Sequence, residues 1–156
     1  MSTIEIIEYS EIYKDHIKQL NYEWLEKYFR VESSDMVQLS DPKKEIIDKG
    51  GLIYYALVDS QIVGTVALIK IDGPTYELGK MAVTVRYQGQ GIGQKLLKYC
   101  IEKVKSMDAD KLILYSNTKL VSAIELYKKH GFYEVDMDQT HYERANIKME
   151  LILKND

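Results

Sequence analysis

Hydrophobic positions along the chain switch between a period of two and a period near 3.6, and the switches mark its elements. The stretch "STIEIIEYS" sets Ile4 and Ile6 against Glu5 and Glu8, the pattern of a short strand. From Ile12 to Phe29 the apolar residues Ile17, Leu20, Trp24, Leu25 and Tyr28 recur at helical spacing. "SDPKKEIIDKGG" then offers Asp41 as a cap, Pro42 at a first helical position and glycines at the end, which predicts a short second helix. Three strands come next. "GLIYYALVD" and "QIVGTVALIKI" flank a hairpin turn at "DSQ", and "TYELGKMAV" comes after a second turn at "DGP". Ile92, Leu96, Leu97, Cys100, Ile101 and Val104 form one apolar stripe, with Gln94, Lys95, Lys98, Glu102 and Lys105 off it, so a helix covers a sheet here. "KLILYS" reads as a buried strand, and "KLVSAIELYKKHG" as a helix closed by Gly131 in a left-handed cap. "FYEVD" and "NIKMELIL" supply the last strands. The order β-α-α-β-β-β-α-β-α-β-β predicts an α/β fold, a mixed sheet with helices on both faces.

Composition narrows this picture without changing it. A length of 156 residues with no linker or repeat predicts a single domain over residues 1–156. The net charge of −3 gives no basic footprint, which argues against nucleic acid as a partner. Cys100 is the only cysteine and lies on an apolar stripe, so it reads as core in a reducing, cytoplasmic setting. The N-terminal stretch mixes acids with apolar residues, which predicts neither a secretory leader nor a membrane span. His16, His130 and His141 lack metal-ligand spacing with one another or with Cys100, so no metal is expected. The 13 tyrosines read mostly as amphipathic packing surface.

One segment asks for chemistry. "RYQGQGIGQKLL" packs Gly89, Gly91 and Gly93 just ahead of a helix, where glycine is costly unless the backbone itself is needed. A strand feeding such a turn offers unpaired N–H groups and the positive end of a helix dipole to a phosphate. A Walker A loop would need Gly-Lys-Ser/Thr after a four-residue gap, and this segment lacks it. A dinucleotide fingerprint would need glycine where Gln94 stands, and would open the first βαβ unit rather than come after a meander.

Gln88 to Gly93, "QGQGIG", resembles the Q/R-x-x-G-x-G/A signature of the GNAT superfamily of N-acetyltransferases. The resemblance extends through "GTVAL", "ELGKMAV", "IGQKLLKYCIEKV", "LILYSN" and "SAIELYKKHGF", covering about Leu52 to Val135. It implies a GNAT-like acyl-CoA N-acyltransferase fold that uses acetyl-CoA as donor, with no metal. Backbone amides of Gln88, Gly89, Gln90, Gly91, Ile92 and Gly93, with Gln94 in the first helical turn, would wrap the pyrophosphate. Met81, Ala82 and Val83 would run beside the pantetheine arm like an added strand, and a backbone N–H such as that of Val83 would serve the oxyanion. Asn117 would touch the pantetheine, its other reading being a helix N-cap.

By the same resemblance Tyr127 would act as general acid toward the departing thiolate, and Glu77 as base for the amine. Strand parity puts Glu77 with Gly79, Met81 and Val83, unless a bulge intervenes. Two positions depart from the common pattern: Val85 stands where a proline is frequent, and Gln88 where arginine is frequent, with Arg86 as a local cation. Lys128 and Lys129 read as solvated helix charges. The acceptor, a small-molecule or peptide amine, would meet the first helices, the middle strands and the last hairpin, which makes Tyr22, Trp24, Tyr28, Tyr142 and Arg144 possible liners. The acidic balance mildly suits a cationic acceptor, and a homodimer is a form such domains often take. A non-catalytic acyl-CoA-binding sensor would keep the loop but need neither Glu77 nor Tyr127; their joint presence favours an enzyme.

Overall fold

In the computed structural model, which describes residues 3–137 and 142–154, the elements keep the predicted order. Strand β1 (Ile4–Glu8) leads through a 3-10 turn to helix α1 (Lys14–Tyr28), α2 (Ser33–Ser40) and the meander β2 (Leu52–Val58), β3 (Gln61–Asp72) and β4 (Thr75–Val83). Helix α3 (Ile92–Ser106), β5 (Lys111–Ser116), α4 (Val121–Lys129), β6 (Tyr133–Val135) and β7 (Ile147–Ile152) complete the chain. The sheet has seven strands in the order β1-β2-β3-β4-β5-β7-β6. β4 and β5 run parallel, and the other neighbouring pairs are antiparallel.

Strand alternation distributes the core to two sides of this sheet. Tyr54, Ala56, Val66 and Leu68 face α3 and α4, where Ile92, Leu96, Leu97, Cys100, Ile124 and Tyr127 close over them. Ile53, Tyr55 and Ala67, their chain neighbours, face the other way onto Ile17 of α1 and Leu39 of α2. Cys100 is fully buried. The β2–β3 hairpin turns at Asp59 and Ser60, both with positive φ (50° and 67°), as a tight primed turn requires. Gly131, with φ at 98°, ends the α4 segment as expected.

The region between α1 and β2 corrects the sequence reading. Ser33–Ser40 is a helix that periodicity did not reveal, and it begins with a reciprocal cap: Glu32 and Asp35 each accept from the other's end of the first turn. The helix expected at "SDPKKEIIDKGG" is instead a five-residue π-helical turn, Lys43–Ile47, with Pro42 before it. Its wider winding puts Ile46 into the core beside Ile17.

Two irregularities of β4 open one seam of the sheet and redirect the strand's side chains. The pairing of β4 with β5 stops at Glu77↔Ile113, although β4 continues to Val83 and β5 to Ser116. The strands therefore splay, leaving β4 beyond Glu77 without a strand neighbour on that side among the described residues. On its other side β4 bulges: Gly79 faces Ala67 and Ala82 faces Thr65, so two residues of β4 oppose one of β3. Lys80 in this bulge has a φ of 53°.

Candidate active site

A cleft of about 850 Å³ opens where β4 and β5 part. Its far end is the turn into α3, where Gly89 and Gly91 take left-handed backbone (φ 79° and 84°) and Gly91 caps the helix. A Cβ built on Gly89, Gly91 or Gly93 would meet nothing within 4 Å, so the missing side chains leave space that the protein does not fill. Gln88 turns back and donates from Nε2 to the Val83 carbonyl at 2.9 Å, tying the loop to the end of β4. Glu23 of α1 fastens the same junction, accepting from Thr84 Oγ1 at 3.0 Å and from the Val85 N–H at 2.9 Å.

The middle of the cleft is flanked by Met81, Ala82 and Val83 on one side and by Tyr115, Ser116 and Asn117 on the other. Asn117 is not a helix cap, since α4 starts after Leu120. It donates to the Arg144 carbonyl at 2.7 Å and accepts from the Lys119 N–H at 2.8 Å, bridging β5 to the segment before β7. Tyr127 comes from α4, its ring 5.8 Å from Phe132. Burial pushes its hydroxyl up to about 12, so it stays protonated across the neutral range.

At the near end Glu77 is 6% exposed and accepts from the Tyr142 hydroxyl at 3.2 Å. Burial raises its carboxyl from the ordinary 4.5 to about 7, against the opposing pull of the Tyr142 hydrogen bond and of Lys80 and Lys148. The bulge overturns the parity expected for this strand. Tyr76 and Leu78 face the α3 side, and Met81 and Val83 pack against that same cluster, so Glu77 points away from both, toward α1 and α2. Glu77 and the stretch Met81, Ala82 and Val83 share a cleft because the strands splay, not because their side chains share a face.

Behind Glu77 lies a buried ionic cluster that periodicity could not reveal. Lys80 Nζ reaches Asp35 Oδ1 at 2.8 Å, and Arg144 grips Asp35 with both Nη atoms at 2.7 and 2.9 Å. Arg144 Nη1 also meets Glu32 Oε2 at 3.2 Å, and the N–H groups of Glu143 and Arg144 donate to Glu32 at 2.7 and 3.1 Å. Burial alone would raise Asp35, but Arg144 and Lys80 prevail and hold it below the ordinary carboxylate range. Asn21 of α1 donates to the bulge carbonyl of Lys80 at 3.1 Å and accepts from Trp24 Nε1 at 3.1 Å. The capping pattern Glu32-x-x-Asp35 was the one local signal of this cluster; its union with Lys80 and Arg144 is long-range.

The family model described as "Acetyltransferase (GNAT) family" matches residues 9–132 of this chain. The chain belongs to the GNAT family. It is 32% identical over 65% of its length to the uncharacterized N-acetyltransferase YvbK of Bacillus subtilis, covering 67% of that protein. A GNAT-family acetyltransferase structure from Staphylococcus aureus Mu50 superposes with a TM-score of 0.89 at 28% identity, over 97% of this chain and all of the other. The PaiA N-acetyltransferase of Thermoplasma acidophilum, solved in complex with coenzyme A, shares the fold at a TM-score of 0.78 and 23% identity, over 96% of this chain and 99% of that one. The chain spans about half the length of the other curated relatives it matches.

Against the GNAT expectation, Glu77, Met81, Ala82, Val83, Gln88 and Gly89 line the cleft together with Gly91, Ile92, Gly93, Gln94, Asn117 and Tyr127. Gln90 is exposed and lies outside the cleft wall. Gln94 accepts from Lys129 Nζ at 3.1 Å, so that lysine is tied to the first turn of α3 rather than only solvated. Of the acceptor-side residues, Trp24, Tyr28, Tyr142 and Arg144 line the cleft. Tyr22 does not; it borders a separate shallow depression with Asp15 and Glu26. His141 lies outside the described residues. Among the described residues no group of histidine, cysteine or carboxylate side chains forms a metal site, and no helix is long and apolar enough to cross a membrane.

Proposed function

We propose that this GNAT protein transfers the acetyl group of acetyl-CoA to a primary amine by direct attack. One observation carries the reading: a single cleft joins a glycine-lined helix N-terminus to a buried carboxyl titrating near neutrality, through a strand stretch with no partner on the cleft side. The loop from Gln88 to Gly93 and the start of α3 would take the pyrophosphate on backbone N–H groups, in the space the glycines leave open. The pantetheine arm would run along Met81, Ala82 and Val83. Asn117, its amide already engaged, would flank this arm rather than clasp it.

The amine nitrogen attacks the thioester carbonyl carbon as a neutral group. A C–N bond forms, and the proton it releases passes to Glu77, directly or through a water. A backbone N–H of β4 such as that of Val83 stabilises the oxyanion. The C–S bond then breaks and the thiolate leaves. Tyr127 cannot easily hand over its proton. A hydroxyl near 12 is about 3.5 units weaker as an acid than an ordinary thiol, roughly 5 kcal/mol uphill. Its role is a hydrogen bond to the departing sulfur, whose proton comes from solvent.

The test measures acetyl-CoA binding by calorimetry and turnover on a panel of amines, with Glu77→Gln and Tyr127→Phe alongside the parent protein. Turnover that falls in Glu77→Gln while acetyl-CoA still binds supports the reading. Tight binding with no turnover on any amine would instead make the chain an acyl-CoA sensor.

A further inference from the structure

The acceptor end of the cleft carries information on the kind of amine that is acetylated. Its wall is aromatic. Trp24 and Phe29 stand edge to face with ring centres 6.1 Å apart, and Tyr115 and Tyr142 lie tilted at 6.3 Å. Arg144 joins the two pairs, its guanidinium 5.6 Å from the Trp24 ring and 4.9 Å from that of Tyr142. All of these rings line the same cleft as Glu77.

The charges point the same way. Among the described lining residues Glu77 is the sole carboxylate, whereas Lys80, Lys119 and Arg144 are cations. The two nearby carboxylates are spent. Asp35 accepts from Lys80, from both Nη atoms of Arg144 and from the Glu32 N–H, while Glu32 accepts from two backbone N–H groups and Arg144. Both are buried behind the wall. Among the described lining residues no carboxylate is left to receive a second ammonium once Glu77 serves the reacting nitrogen.

We propose that the acceptor is a small monoamine on an aromatic body, carrying no second cationic group, and that polyamines and lysine-rich peptides are rejected. The proposal rests on the acetyl-transfer reading of the cleft. Flat rings offer a planar acceptor large apolar contact with defined geometry. A second ammonium would find Asp35 and Glu32 already paired with Lys80 and Arg144, and Lys119 as a further cation in the cleft wall. Desolvation at this buried end of the cleft favours the neutral form of the reacting amine, which is the form that attacks. The overall net charge of −3, the basis for expecting a cationic acceptor, is not reflected in the described cleft lining, which holds one carboxylate against three cations.

Steady-state kcat/KM with acetyl-CoA is compared for 2-phenylethylamine, tryptamine, n-butylamine and spermidine. The two aromatic amines are expected to exceed n-butylamine and spermidine by about tenfold or more. Trp24→Ala is expected to shrink the ratio of phenylethylamine to butylamine, and Trp24→Phe to keep most of it. Spermidine as the best substrate, or butylamine equal to phenylethylamine, overturns the proposal while acetyl transfer stands. Acetyl-CoA binding without acetylation of any of the four amines overturns the proposal, and absence of turnover across the wider amine panel removes the transfer reading as well.

Discussion

Glu77 illustrates how burial of a single carboxyl couples stability to pH. Its carboxyl sits where burial favours the protonated form, so the folded protein holds a proton that the unfolded chain releases near 4.5. Stability from this group is present below that pH and is lost as pH rises through about 7. Glu77→Gln should therefore raise the melting temperature at pH 8, by up to about 3 kcal/mol of stability, and bring little gain at pH 4. In activity the same variant should cost ~10²- to 10⁴-fold in kcat/KM and abolish an acidic limb centred near 7 in the pH profile. Tyr127→Phe should lose only about tenfold in kcat, because it removes a hydrogen bond to sulfur rather than a proton donor. A loss comparable to that of Glu77→Gln would restore the tyrosine as a true acid.

At the scale of elements, α1 is a strut between the two ends of the cleft. Asn21 holds the bulge carbonyl, Trp24 reaches the acceptor wall, and Glu23 fixes the junction entering the glycine loop. Glu23→Ala should raise KM for acetyl-CoA about three- to tenfold with a smaller change in kcat, measurable by varying the donor at saturating amine. The ionic cluster ties α2, β4 and the segment before β7 in a similar way. Asp35→Asn would leave Lys80 and Arg144 sharing too little negative charge in a buried place, at a cost of about 3 kcal/mol in urea unfolding. Most of these elements are legible in the sequence, because apolar periodicity is a local property: the α3 stripe and the "DSQ" turn need no partner to be seen. Helix α2 is not, since "SSDMVQLS" carries too few apolar residues at regular spacing, and its capping pair has to be recognised instead.

Across the whole molecule, the candidate site lies where a seven-stranded sheet comes apart at one seam. The parallel β4–β5 pair holds for three residue pairs and then opens, so one cleft collects a glycine-rich turn, a strand edge and a buried carboxyl. The sheet's two faces divide the labour. The α3–α4 side supplies the glycine turn and Tyr127, and the α1–α2 side supplies Trp24, Phe29 and part of the surroundings of Glu77.

Apolar period and turn chemistry are enough to read the chain order of the strands, the mixed sheet and the glycine turn, and the family resemblance adds Glu77 and Tyr127 as candidates. These depend on neighbours a few positions apart, where period and turn chemistry act directly. Tertiary structure alone decided the bulge at Lys80, which reverses the parity expected for Glu77, and the cluster of Asp35, Lys80 and Arg144, whose members lie 45 and 109 positions from Asp35. It also placed aromatic rings along the cleft beside Glu77, with Asp35 and Glu32 behind them already engaged. The physical reason is common to all three: register and charge pairing are set between segments remote in the chain, and only packing brings those segments together.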